Sequence, residues 1–470
     1  MQANEHETRT PMTDAWAAEE LRQLDLGDAR LNRRVVRLVT DLAAQPAVSV
    51  PQACGDWATT KAAYRLWDHT RVTPAAIRDA HIQATGARVA SQERVLVLQD
   101  TTDLDFRHHP ATTGLGPLEH PAQQGLKVHS ALAASLAGVP LGLVHQAVWS
   151  RDPAAVGQRH RRRQRPTVEK ESQRWLTALA ASQAVIPVAT GLITVADREA
   201  DIYDLLAQPR RPGSELLIRA THNRKTDPEG YLWDTVRQQP LLGQHPVTVG
   251  RRPDQPPRTA TLTVQVADLA IAPPRHHPER AQLAPVPVRA IWATERNPPE
   301  GTQPLRWQLL TTLPVTDLAD AVQCLDWYAL RWLIERYHYV LKSGCRIETL
   351  QLGTAERLER ALATYELVAW RLLWLSYAAR QAPTESCEAV LAQPEWQALY
   401  CTIHRTAHPP EQPPSLQQAV RWIAQLGGFL GRTRDGEPGV KTLWQGWRRL
   451  EDIAATWQLA HPSPGLMGNA

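Results

Sequence analysis

From Trp16 onward apolar residues recur three or four positions apart, at Ala17, Leu21 and Leu24, until Gly27 and Asp28 break the run. That period predicts a helix. The next segment, ARLNRRVVRLVTDLAAQ, puts Leu31, Val35, Leu38 and Leu42 on one face, with Arg30, Arg33, Arg34 and Arg37 over much of the rest. TTKAAYRLWDH after Trp57 and the stretch from Pro74 to Val89 continue the pattern, so residues 1–89 read as a helical domain behind an untethered N-terminus.

The period changes at Arg94. RVLVLQDTTDLDF is the apolar, β-branched run of a buried strand, and it ends among Asp100, Thr101, Thr102, Asp103 and Asp105. Strands over 125–136 and 140–150, divided by a turn at Gly138, would complete a meander. A helical stretch over 171–184 precedes GLITVAD, a short strand delivering Asp197 just before a helix, and 214–223 supplies a fifth strand. Residues 90–223 therefore read as the first part of an α/β core. From 224 to 313 the helical period disappears into alternating runs with proline-rich turns, a β-rich insertion subdomain. Helical periodicity returns at Asp317 and runs to about Arg380, so 314–384 reads as the last part of the core. Residues 385–470 read as a helical, tryptophan-rich domain interrupted by LGGFLGRTRDGEPG.

Composition narrows the class. The 470 residues are 43% hydrophobic and 21% charged, with no apolar run near the roughly 20 residues that a membrane helix needs. MQANEHETRTPMTDAW has acidic residues and no hydrophobic segment, so a cytoplasmic location is expected. The five cysteines lack the close pairs of zinc or redox sites and read as reduced thiols. A net charge of +4 does not by itself imply nucleic acid, but arginine is clustered. Arg159, Arg161, Arg162, Arg163 and Arg165 form one such run, either a solvated loop or a DNA-contacting one. Seventeen tryptophans against two phenylalanines suit both core filling and base stacking.

Three carboxylates stand out by position. Asp100 and Asp197 end strands, and strand ends are where open α/β sheets place their sites. Glu335 lies in WYALRWLIERYHYVLK, residues 327–342. At about 100° per residue, Tyr328, Arg331, Glu335 and Lys342 share roughly a 60° arc of one helix, opposite Leu330, Ile334, Tyr337 and Leu341. Alone, that stripe is an ordinary amphipathic helix with an Arg331/Glu335 pair, and each aspartate is a turn residue. Brought together, three carboxylates repel one another, and a hard divalent cation resolves the conflict. Oxygen-only ligands favour Mg²⁺ or Mn²⁺, and the chemistry that follows is two-metal, in-line phosphoryl transfer.

In order along the chain, DTT (Asp100 to Thr102), DREAD (Asp197 to Asp201) and Tyr-x2-Arg-x3-Glu-x6-Lys (Tyr328, Arg331, Glu335, Lys342) resemble signatures of the bacterial cut-and-paste transposases of the insertion-sequence 4 family. EKES (Glu169 to Ser172), LGDARLNRR, LGGFLGRT and LWQGWRRL are similar as well, so the resemblance runs from about Leu24 to Leu450. It implies a ribonuclease-H-like catalytic core with a mainly β insertion, flanked by helical N-terminal DNA-binding and C-terminal dimerisation domains. It implies Asp100, Asp197 and Glu335 as a catalytic triad holding two Mg²⁺, with Mn²⁺ substituting. Tyr328, Arg331 and Lys342 would grip the DNA backbone, Trp307 would stack on a flipped base, and Arg198, Arg224, Arg30, Arg33 and Arg34 would make further DNA contacts.

The implied reaction is end nicking, hairpin formation and resolution, then strand transfer. Its partners are double-stranded DNA, as terminal inverted repeats and target, and a second copy of the chain in a synaptic homodimer. No membrane partner is expected, and the DNA-bound protein would sit on the nucleoid. A DNA-binding regulator of transposition without turnover would lose a triad carboxylate or the basic helix, and this sequence keeps both. A ribonuclease-H-like nuclease of other purpose would not need the arrangement from Trp307 to Lys342. The loop 159–165 and the proline-rich linkers of the insertion depart from the family pattern.

Overall fold

Asp28 opens the basic helix by accepting a hydrogen bond from the Arg30 amide at 2.8 Å, and Asp56 does the same for Thr59 at 2.8 Å. Both satisfy amides that a helix start leaves without partners. The computed structural model describes residues 11–120, 122–155, 165–228, 230–249, 258–432 and 435–461, so Arg159, Arg161, Arg162 and Arg163 lie outside the described residues. The N-terminal helices are α1 (Pro11–Glu20), α2 (Ala29–Ala44), α3 (Val50–Cys54), α4 (Trp57–Asp68) and α5 (Pro74–Ala90). The apolar face expected of α2 is buried at Leu31, Val35, Leu38 and Leu42, which leaves Arg30, Arg33 and Arg34 exposed.

The central strands are β1 (Arg94–Asp105), β2 (Gly116–Pro117), β3 (Gln124–Ser135) and β4 (Pro140–Trp149). They are followed by α6 (Gln173–Val185), β5 (Gly191–Ala196), α7 (Tyr203–Ala207) and β6 (Ser214–Arg219). β1, β3 and β4 form the expected antiparallel meander, while β5 lies parallel to the other edge of β1 and β6 parallel to β5. This is a ribonuclease-H-like sheet. Both faces of β1 are covered, Leu96 and Leu98 by the core that includes Ile334 and Leu362, Val95 and Val97 by the core that includes Ala178 of α6. Burial on two sides explains its unbroken apolar run.

The segment after β6 holds β7 (Lys225–Asp227), β8 (Gly230–Tyr231), α8 (Leu232–Arg237), β9 (Gly243–Val249), β10 (Arg258–Ile271), β11 (Val286–Glu295) and β12 (Arg306–Thr311). Two features differ from the sequence reading. A short helix, α8, interrupts the β-rich stretch, with Leu232 and Val236 buried one turn apart. The strands also make no separate sheet: β12 pairs antiparallel with β6 through Leu309, Leu310 and Thr311, and β11 and β10 follow outward. Among the described residues one twelve-stranded sheet results.

The helical stretch expected from Asp317 to about Arg380 is present as several helices. It becomes α9 (Leu318–Ala329), α10 (Trp332–Tyr339), a π-helical turn at Val340–Gly344 and α11 (Ala355–Gln381). At the first break the Arg331 amide bonds to Tyr328 O at 3.0 Å and the Leu333 amide to Leu330 O at 2.9 Å, a tighter turn than the α-helix. At the second, Gly344 sits where a Cβ would come 3.0 Å from the Trp444 ring. α11 is buried nearly all round, including Leu362, Leu367, Trp370 and Leu373, and it runs on into a bundle with α12 (Gln393–His404), α13 (Leu416–Leu426) and α14 (Val440–Ala460).

Candidate active site

Parallel pairing in register ends at Gln99 of β1 beside Ala196 of β5, so Asp100 and Asp197 follow as neighbours where β5 stops. Asp100 is not the strand end expected from the sequence, because β1 runs on to Asp105 in antiparallel pairing with β3. α10 packs across β1 and brings Glu335 to the same edge. A cleft of about 350 Å³ opens there, lined by Asp100, Thr101, Thr102, Glu335, His338 and Lys342 among others. Asp197 does not line it. Its carboxylate accepts from the Glu199 amide at 2.9 Å and starts the turn that carries Arg198 into solvent.

Burial is the main push on Asp100 and raises its pKa to about 7. The carboxylates of Asp197 and Glu335 add to the rise, while Arg331 and the Thr101 amide oppose it. Arg331 pairs with Glu335 and has its other terminal nitrogen 3.9 Å from Asp100 Oδ2, so a guanidinium occupies the space between two acids. Among the described residues no three acidic, imidazole or thiol groups are drawn together tightly enough to chelate an ion. The donor set nevertheless fits a hard divalent cation: oxygen ligands only, with one carboxylate pushed toward neutrality chiefly by burial and further by its acidic neighbours.

The other sequence candidates divide into groups. Lys342 lies on the cleft lip, where its ammonium donates to Asp103 O at 2.8 Å and faces Glu348 at 3.4 Å. Tyr328 is 4% exposed and meets half-buried Trp307 edge to face at 5.9 Å, so its phenol lies inside and the polar stripe drawn from a straight helix is broken there. Arg224 is held by Asp201, with its Nε donating to Oδ1 at 2.8 Å. Asp201 also accepts from the Thr221 and His222 amides at 2.8 and 2.9 Å, so this pair anchors the loop after β6. Arg30, Arg33 and Arg34 lie on α2 and do not line the cleft.

Several groups at the site escaped the sequence reading. His338 is buried beneath Asp100, with Nδ1 at 3.9 Å from Oδ2 and Nε2 at 3.2 Å from Ser130 Oγ. Burial, helped by Lys342, drives its pKa down to about 3, so the ring is neutral. Thr101 Oγ1 is 2.9 Å from His129 Nδ1 and accepts from Arg174 Nε at 2.9 Å. Trp332, 61% exposed, places its indole 5.7 Å from the Arg331 guanidinium. His338 was within reach, since it follows Glu335 by three positions on one helix. The contacts of Ser130, His129 and Arg174 depend on strand pairing, and no local pattern announces them.

Comparison with known families agrees with this architecture. Three family profiles match: Transposase DNA-binding over residues 13–72, Transposase DDE domain over 149–371, and Transposase Tn5 dimerisation domain over 367–460. Asp197 and Glu335 fall within the DDE match and Asp100 before it. The chain belongs to the bacterial DDE transposases. It is a transposase with DNA-binding and dimerisation regions, and among the described residues no helix is long and apolar enough to cross a membrane. One similar solved structure is a piggyBac transposase synaptic complex with hairpin DNA, at 9% identity and a TM-score of 0.35, the match covering 97% of this chain and 78% of that one.

Proposed function

We propose that this transposase excises and inserts DNA by cut-and-paste chemistry at the cleft between β1, β5 and α10. The observation that supports the reading is Asp100 on β1 next to Asp197 at the end of β5, with Glu335 of a separate helix across the cleft from Asp100 and both carboxylates raising its pKa. Asp100, Asp197 and Glu335 would hold Mg²⁺ or Mn²⁺, two ions in all, which supply Lewis acidity at the scissile phosphate and lower the pKa of an attacking water or hydroxyl.

The remaining residues position DNA. Arg331 and Lys342 take backbone phosphates near the cleaved end, Arg331 leaving Glu335 to do so, and Tyr328 joins them only once its buried hydroxyl is uncovered beside Trp307. Trp307 offers an indole to a base unstacked from a tight turn, where stacking contributes about 1–3 kcal/mol. Arg198 and the exposed Arg30, Arg33 and Arg34 add phosphate contacts along the duplex. Arg224 acts by holding the loop after β6 through Asp201.

In this reading residues 1–89 bind the terminal inverted repeat. Residues 90–223 and 314–384 form the catalytic core, 224–313 the insertion that brings Trp307, and 385–470 the dimer contacts of a synaptic pair. The order of reaction is nicking, attack of the freed 3′-hydroxyl on the opposite strand, hairpin opening and strand transfer. A Mg²⁺-dependent cleavage assay on a duplex carrying the element's end tests it. Wild type should yield a DNA hairpin and Glu335→Gln none; unchanged cleavage by that variant would sink the proposal.

A further inference from the structure

A chain of buried polar groups runs from α5 through the core to the floor of the cleft. Arg78 of α5 grips Glu366 of α11 with two hydrogen bonds, Nε to Oε2 at 3.0 Å and a terminal nitrogen to Oε1 at 3.1 Å. Glu366 is fully buried. With a bidentate guanidinium on it, it is a carboxylate and only accepts. The Gln146 amide on β4 therefore turns its nitrogen to Glu366, with Oε2 at 2.6 Å, and its oxygen to Ser130 Oγ at 3.0 Å.

That orientation fixes every proton downstream. Ser130 has one hydroxyl proton, and it goes to the Gln146 oxygen. The 3.2 Å contact from Ser130 Oγ to His338 Nε2 must then be donated by the ring. The ring is 5% exposed and its Nδ1 has no carboxylate within hydrogen-bond distance, so it is buried without a partner for a second proton, and an imidazole that donates from Nε2 then carries a bare lone pair on Nδ1. That lone pair lies 3.9 Å from Asp100 Oδ2, too far for a direct hydrogen bond and between two acceptors. One donor molecule placed between them satisfies both.

We infer that His338 is a positioning residue for the reaction, its tautomer set by Glu366, Gln146 and Ser130, with Nδ1 accepting a hydrogen bond from a water held on the Asp100 side of the cleft. The inference rests on the reading of Asp100 as a cation ligand. It also gives the core a role beyond packing, because the tautomer at the cleft is dictated by a side chain whose two oxygens both accept from Arg78 of the N-terminal helices.

Two replacements of the ring separate its ends. In His338→Gln the amide reaches the Nε2 position and keeps the bond to Ser130 while Nδ1 is lost; in His338→Asn the amide occupies the Nδ1 position. Mn²⁺ binding to the full-length protein, read by the loss of the free ion's paramagnetic resonance signal, should weaken about tenfold in His338→Gln and recover in His338→Asn. Ser130→Ala should weaken it and Ser130→Thr, which retains the hydroxyl, should not. Affinity for end DNA without metal should stay level in all four, and it would fall together with Mn²⁺ binding if the role were only structural. Asp100→Asn separates the two ideas. Mn²⁺ binding unaffected by Asp100→Asn removes the ligand reading, whereas binding lost in Asp100→Asn but unchanged in His338→Gln and Ser130→Ala overturns the inference about His338 alone. Should His338→Gln fail to fold, the Ser130 pair decides.

Discussion

Tyr328 shows how one side chain can be read twice. Its phenol is buried against Trp307, and its hydroxyl has no hydrogen-bond partner among the described residues. A buried hydroxyl left unpaired costs about 1–3 kcal/mol, so packing alone does not account for the oxygen. Tyr328→Phe should hold or raise the thermal midpoint while slowing single-turnover nicking. Unchanged nicking would leave Tyr328 as a core ring supporting Trp307 and nothing more. The same scale separates two neighbouring arginines. Arg198 points into solvent beside Asp197, whereas Arg224, which looked equally available in the sequence, is committed to Asp201. The partner lies too far back along the chain for any local pattern to show it.

At the scale of elements, α1 is fastened to α5 and β4 by a buried ionic knot. Glu20 accepts from Arg88 at 2.7 and 2.9 Å and lies 2.5 Å from His81 Nδ1. His81 Nε2 in turn accepts from the Leu143 amide at 3.0 Å. Burial alone would raise the Glu20 pKa, but His81 and Arg88 outweigh it and bring the carboxyl down from 4.5 to about 2. Because the folded value is the lower one, the stabilisation is complete above pH 4.5 and is lost as pH falls toward 2. The gap in thermal midpoint between wild type and Glu20→Gln should therefore be constant near neutrality and close as the solution is acidified through that window. A gap that persists at the acid end would mean that the knot acts by shape and not by charge. The broken helix belongs to this scale too. Tightening at Leu330–Arg331 and widening at Val340–Gly344 turn Glu335 and Lys342 to the cleft while Tyr328 stays inside.

Across the whole molecule, one sheet joins what read as core and insertion, and α11 joins the core to the C-terminal bundle. The N-terminal helices are held to α11 by Arg78, which also meets Glu359 at 3.2 Å. Removing one partner of a buried pair typically costs about 3–5 kcal/mol. Arg78→Met should lower the thermal midpoint by several degrees and open the link between α5 and β1 to limited proteolysis, with a matching loss of affinity for end DNA. Resistance to protease at that link would show that apolar contacts alone seat the N-terminal helices.

The sequence by itself determined the elements and the chemical character of the site. Asp100 and Asp197 were legible because the apolar run of a buried strand stops at each of them, although β1 itself continues to Asp105, and Glu335 because a known signature surrounds it. α8 was not legible, since only Leu232 and Val236 of its six residues mark the helical period. Tertiary structure alone decided which polar groups meet. β12 joins β6, Arg331 stands between Asp100 and Glu335, and Ser130 lies under His338, because pairing across the sheet and packing of helices upon it bring together residues that local periodicity treats as independent. Periodicity reports which face of an element is buried. What that face touches is set by long-range contacts, and those fixed the proton positions at the floor of the cleft.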